Sequence, residues 1–180
     1  MTNQIQFEYP YDESPDVVTD ILSRCQLYDF SDFDCKMFVD NFSLIHLNIN
    51  HAEHKLDSLS SWLASLPCMP NVICLTETWF RTASPPAVLP NYSVHSVPRV
   101  TGDGGGICVF VQNGINYSVL SLQHNAYVTF EYTAVTIVTA GKPTMLITIY
   151  RPPSTSIKDF LTELTSLLCC LDKYSKDFDL

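Results

Sequence analysis

Apolar and polar positions follow a clear order from Phe42 onward. Residues 42–49, FSLIHLNI, form a run rich in Leu and Ile that predicts a first strand, with Asn48 close to its carboxyl end. Asn50 and Glu53 stand three apart in the manner of a capping box, and Leu56, Leu59, Leu63 and Leu66 then keep one helical face until Pro67 closes it. Residues 71–80, NVICLTETWF, follow. Val72, Ile73, Cys74 and Leu75 make an apolar run short enough for a buried strand, and Glu77 stands where that strand leaves the core. Two strands joined by a helix of this length are most simply parallel, with their carboxyl ends on one edge of the sheet. Asn48 and Glu77 then share that edge, which is where α/β folds keep their chemistry.

The middle of the chain reads as a β-meander. Residues 82–90 are Pro-rich and make a surface loop; residues 92–97, 107–111, 117–122, 127–138 and 145–150 read as strands. The turns between them are residues 101–106, then Asn113-Gly114, then Gly141-Lys142-Pro143. Three consecutive glycines, Gly104 to Gly106, invite comparison with a phosphate cradle, but no Lys-Ser or Lys-Thr follows and the next element is a strand, so a tight hairpin-type turn is the better reading. Tyr150-Arg151-Pro152-Pro153 ends the last strand, since neither proline can donate to a ladder. Ser156 and Asp159 resemble a second capping box. Ile157, Phe160, Leu161, Leu164, Leu167, Leu168 and Leu171 lie on one helical face that must bury against a sheet. After Lys173 and residues 174–177, Phe178-Asp179-Leu180 has the look of a further strand just beginning.

Charge separates the first 41 residues from the rest. They hold nine acidic and two basic side chains, a balance of −7 that leaves only −2 of the total −9 for the remainder. This acidic, aromatic leader has no sustained period and reads either as a segment docking by its aromatics or as a disordered tail. The remainder, 42–180, forms one domain, nearly neutral and without the basic stripe expected of a free-standing nucleic-acid binder. A metal could supply positive charge. The seven cysteines form no Cys-x-x-Cys pair and read as reduced core residues, and neither they nor the five histidines show zinc-ligand spacing. With no apolar run of eighteen residues and no signal-peptide pattern, a soluble cytoplasmic or nuclear protein is expected.

Four segments in this order, HLNINHAEHKLD, NVICLTETWF, GDGGGICVFV and YRPPSTSIKDFL, resemble the endonuclease/exonuclease/phosphatase (DNase I-like) superfamily. Within it they are most similar to the apurinic-type endonuclease domain of non-LTR (LINE-like) retrotransposons. The resemblance implies an α/β fold, the amino-terminal portion of a four-layer α/β-β/α sandwich with an incomplete second sheet, and a Mg²⁺-dependent phosphodiesterase acting on DNA. On the matching positions Asn48 would orient the scissile phosphate, Glu77 would be the metal ligand, and Tyr150 would point its phenol at the phosphate. Arg151 would contact the nucleic-acid backbone. Asn50 falls where some relatives carry a metal-holding Asp, so it is left to touch substrate. Each has a plainer reading: Asn48 as a turn former, Asn50 as a helix cap, Tyr150 as an aromatic closing the core. The family pattern continues with Gly-Asp-Xaa-Asn and Ser-Asp-His, neither of which occurs here. A truncated, inactive chain with weak Mg²⁺ affinity is therefore expected, one that self-associates or takes a covering partner over its exposed sheet. The alternatives are a non-catalytic remnant or interaction module, and another superfamily member such as an inositol-phosphate phosphatase.

Overall fold

A strand buried on both faces must be covered on both sides, and the strand β2 (Val72–Thr76) is buried at every position. The computed structural model describes residues 42–82, 89–99, 103–121, 127–139 and 141–177. The chain divides into Met1–Asp34 and Cys35–Leu180, and everything below belongs to the second unit. The acidic leader expected over residues 1–41 lies outside the described residues, as do residues 178–180.

β2 pairs in parallel with β1 (Leu44–Asn48) and antiparallel with β4 (Ile107–Gln112), which also pairs with β3 (Tyr92–Val97). The order of this first sheet is β1-β2-β4-β3. A second sheet runs β5 (Tyr117–Val119), β6 (Glu131–Thr139) and β7 (Lys142–Tyr150), antiparallel throughout. Because side chains alternate along a strand, each sheet divides its residues between two cores. Ile73, Leu75, Cys108 and Phe110 pack with Leu56, Leu59 and Leu63 of helix α1 (Leu56–Ser65). Val72, Cys74, Ile107, Val109 and Val111 face the other way and meet Val135, Ile137, Leu146 and Tyr150 of the second sheet. The far side of that sheet, with Ala134, Met145, Ile147 and Ile149, is covered by Leu167 and Leu171 of helix α2 (Ile157–Asp177). Helix, sheet, sheet and helix therefore stack as four layers around three apolar cores, the mixed α/β architecture that the motifs implied. Among the described residues the second sheet has three strands.

Several local expectations are corrected. Asn50 and Glu53 do not form a capping box. Asn50 and His51 both adopt left-handed backbone, with φ of 44° and 71°, a short 3₁₀ turn (Ala52–His54) intervenes, and α1 begins at Leu56 with no side-chain cap. The Lys55 ammonium instead donates to the carbonyls of Ile49 (2.8 Å) and Asn50 (2.6 Å) and ties the turn down. The meander is split between the two sheets, β3 and β4 in one and β5 to β7 in the other. Lys142 and Pro143 are not turn residues but open β7, Pro143 opposite Val138, a place open to a residue without an N–H because β7 is an edge strand. α2 runs on through residues 174–177, and the strand expected to begin at residues 178–180 lies outside the described residues. Cys74 and Cys108 are buried, and burial, followed by the neighbouring Cys74, pushes the Cys108 thiol up to about 12; Cys169 and Cys170, however, are exposed on α2 and are not core residues.

The apolar face of α2 is wider than the sheet beneath it. Leu167 is fully buried and Leu171 nearly so, whereas Ile157, Leu161 and Leu168 are exposed. Leu168 lies about 100° round the helix from Leu167, which carries it off the contact arc. Leu167→Ala is expected to cost about 2–4 kcal/mol in urea denaturation, and Leu161→Ala less than about 1 kcal/mol. Equal losses from the two would contradict this seating of the helix.

Candidate active site

The parallel pairing of β1 and β2 sets Asn48 beside Thr76, one residue before Glu77, at the carboxyl edge of the first sheet. Beyond the strands the two chains stay zipped together: Ile49 N donates to Thr76 O, His51 N to Glu77 O and Ala52 N to Thr78 O, all at 3.0 Å. A third segment joins from the other side, where Thr78 N and Trp79 N donate to the carbonyls of Gly106 and Gly105. This rim concentrates backbone strain. Of the five non-glycine residues with positive φ among the described residues, Asn50, His51, Glu77 and Trp79 sit here, and only Asn91 lies elsewhere. Left-handed backbone costs a non-glycine residue roughly 1–2 kcal/mol, and such strain clusters at functional sites.

Glu77 is the hub. Its Oε2 accepts from Trp79 Nε1 at 2.7 Å and from Gly105 N at 2.8 Å, and its Oε1 accepts from the Tyr150 hydroxyl, which reaches across from the end of β7 in the second sheet. Burial would raise the Glu77 carboxyl, but the donations from Tyr150, Gly105 and Trp79, with the charge of Arg99, outweigh it and hold the group below its ordinary 4.5. Burial, and then the bond to Glu77 and that residue's charge, push the Tyr150 phenol up to about 12. Glu77 is therefore a carboxylate and Tyr150 a proton-bearing donor at neutral pH.

A second carboxylate stands beside the first. Glu131, at the start of β6 and paired in register with Tyr150, accepts from Gly106 N at 2.6 Å, and its Oε1 lies 3.2 Å from Arg99 Nε. Burial, reinforced by the charge of Glu77, raises Glu131 against the lowering pull of Gly106 N–H and Arg99. Gly104, Gly105 and Gly106 all have positive φ, and a Cβ on Gly105 would come within 2.6 Å of Glu131 Oε1. The triple glycine is a hairpin connection, as its sequence suggests, but its amides are turned onto two carboxylates.

Of the residues singled out by sequence, Glu77 and Tyr150 are in direct contact. Asn48 is exposed at the adjacent strand end, and exposed Asn50 joins the rim through its turn. Arg151 follows Tyr150, but its guanidinium donates to the carbonyls of Thr155 (3.0 Å) and Pro152 (3.4 Å) and lies 5.8 Å from the Phe160 ring centre, holding the entry to α2. Trp79, Arg99, Glu131 and the glycine amides were missed. Trp79 had a signal, since an indole two residues after a candidate ligand is poised to donate to it; Arg99 and Glu131 carried none.

The fit to a hard cation can be judged from the donors. Three hydrogen bonds occupy most of the lone-pair capacity of Glu77, and among the described residues no three His, Cys, Asp or Glu gather as a metal cage. A cation at Glu77 would have to take the remaining lone-pair capacity or displace one of these donors; the oxygen donors are of the kind that hold Mg²⁺ together with waters and a substrate phosphate, and not those of a closed zinc site.

The description of the endonuclease/exonuclease/phosphatase family matches residues 45–167, most of the chain and all of this rim. The chain belongs to that family, a group of phosphodiesterase and nuclease-type domains whose members commonly use divalent metals. No curated protein matches the sequence. Among the described residues, no helix is long and apolar enough to cross a membrane.

Proposed function

We propose that this rim is the Mg²⁺ and phosphodiester-binding half of a DNA endonuclease site of the retrotransposon type. The observation that carries the reading is the Glu77 carboxylate, kept ionised and aimed by Tyr150, Trp79 and Gly105 from three separate segments. Orientation by so many donors is more than a strand-end cap requires, and it is what a metal ligand needs to keep its geometry. When bound, Mg²⁺ would neutralise charge on the phosphoryl oxygens. Glu77 would hold it. Asn48, at the adjacent strand end, would donate its amide to a phosphate oxygen, and the Tyr150 phenol would stay protonated and donate to either Glu77 or substrate. No histidine paired with a carboxylate faces the rim among the described residues, so the 180-residue chain is expected to bind DNA in Mg²⁺ without cutting it.

The test uses a fluorescein-labelled DNA duplex at fixed ionic strength, titrated with the full chain in Mg²⁺ or in EDTA. Binding should tighten about tenfold or more with Mg²⁺, as expected when one metal joins a carboxylate to a phosphate. Equal affinity in both would remove the nuclease reading and favour a non-catalytic interaction module. Preference for a phosphoinositide headgroup over DNA would favour a phosphatase. Nicking of supercoiled plasmid by this chain would refute the expected inactivity.

A further inference from the structure

His51 occupies a position that no motif assigns. Its backbone N–H is committed to Glu77 O, which fixes the residue at the rim, and its φ of 71° lies in the left-handed region, uncommon for residues other than glycine though less so for histidine than for most. The ring lies against Trp79, with centroids 3.7 Å apart and the planes tilted by 35°, and the Trp79 indole N–H is in turn spent on Glu77. The next ring outward, His54, lies 6.0 Å away and nearly parallel to His51. Neither nitrogen of the His51 imidazole has a hydrogen-bond partner among the described residues. The ring is thus backed by the tryptophan that orients the candidate metal ligand, and its polar edge is uncommitted. Packing alone does not account for this choice of residue. A glycine would relieve the backbone, and a phenyl ring would cover Trp79 as well.

The geometry points to His51 as a substrate-binding residue of this site, its imidazole N–H donating to a backbone phosphate of the DNA strand next to the phosphodiester held at Glu77. This assignment rests on the DNA reading proposed above. An imidazole held close against an indole, on a backbone pinned by its own hydrogen bond, loses little freedom when it bonds a phosphate, which is how preorganised donors gain affinity. Contacts of this kind position the strand without reading its bases.

The test compares wild type with His51→Gly, His51→Phe and His51→Asn, all as the full chain, binding the same labelled duplex in Mg²⁺, with thermal unfolding measured alongside. His51→Gly should melt no lower than wild type, since glycine accepts this φ freely, yet bind the duplex about tenfold more weakly, as befits one lost hydrogen bond to a charged phosphate. His51→Phe should also bind weakly. His51→Asn, which tolerates left-handed backbone and retains an N–H donor, should recover part of the loss. Wild-type affinity in His51→Gly would reduce the ring to packing. Wild-type affinity in His51→Phe would make stacking, not donation, its role. If wild type itself binds no duplex, the DNA reading fails and this assignment falls with it; if wild type binds and all three variants match it, only the assignment fails.

Discussion

Glu77→Gln should abolish the Mg²⁺-dependent part of DNA binding while leaving the weaker binding seen in EDTA. The exchange is nearly isosteric, but the amide carries no charge for a cation. It can also face its neighbours in only two ways: its NH₂ must confront either the Tyr150 hydroxyl or the paired N–H groups of Trp79 and Gly105, all of them donors to Glu77. The variant should therefore lose the whole of the about tenfold tightening that Mg²⁺ gives the wild type. The same substitution has a signed effect on stability. Because the folded carboxyl titrates below 4.5, its contribution is fully present above that value and is lost as pH falls through the lower folded value. The stability gap between wild type and Glu77→Gln, read from urea denaturation, should therefore be widest near neutrality and close as the pH is taken well below 4.5. A gap that widened on acidification would contradict the hydrogen-bond pattern described for this carboxylate.

Gly105→Ala is expected to be strongly damaging for a single added methyl. The residue sits at φ +74°, where a Cβ carries an intrinsic cost, and that Cβ would lie 2.6 Å from Glu131 Oε1 and 2.7 Å from Arg99 Cδ. Both neighbours belong to a half-buried ion pair, so moving them weakens that pair and the Gly106 amide bond as well. Strain and clash together should amount to about 3 kcal/mol or more. Gly114→Ala is the control: its φ of +94° is as unfavourable, but no atom lies within 4 Å of the added carbon. Differential scanning calorimetry should show a clearly larger fall in Tm for Gly105→Ala than for Gly114→Ala. Equal falls would mean that the backbone alone is responsible and that the glycine-lined approach of Glu131 has no importance.

The sequence disclosed what depends on near neighbours. The spacing of Leu56, Leu59 and Leu63 and the run from Val72 to Leu75 were enough to place α1, the parallel pair and the shared edge of Asn48 and Glu77, because periodicity is a local property. The turn at Asn50 was not legible. Its left-handed shape is held by carbonyls of Glu77 and Thr78, far along the chain, and by the Lys55 ammonium, so a spacing that resembles a cap was overruled by the neighbouring strand. The glycine stretch could be recognised as a turn, but the carboxylates that receive its amides come from β2 and β6, and only the packing of two sheets brings them together. Glu131 looks in sequence like an ordinary charged residue opening a strand. On α2, the apolar positions were read as one face to be buried, yet only part of it meets the second sheet: Leu167 and Leu171 are buried while Ile157, Leu161 and Leu168 are exposed, a division the helix's own periodicity does not carry.

The bonds around the rim have a mechanical meaning as well. Tyr150 and Glu131 belong to one sheet; Glu77 belongs to the other, and Arg99 and the glycine amides to the connection between two of its strands. This rim is therefore also a clasp joining the two sheets of the sandwich, and it exists only when both are docked. A molecule that grips this edge should be felt as resistance to prying the halves apart, and a chain with the halves separated should retain no partial grip at all.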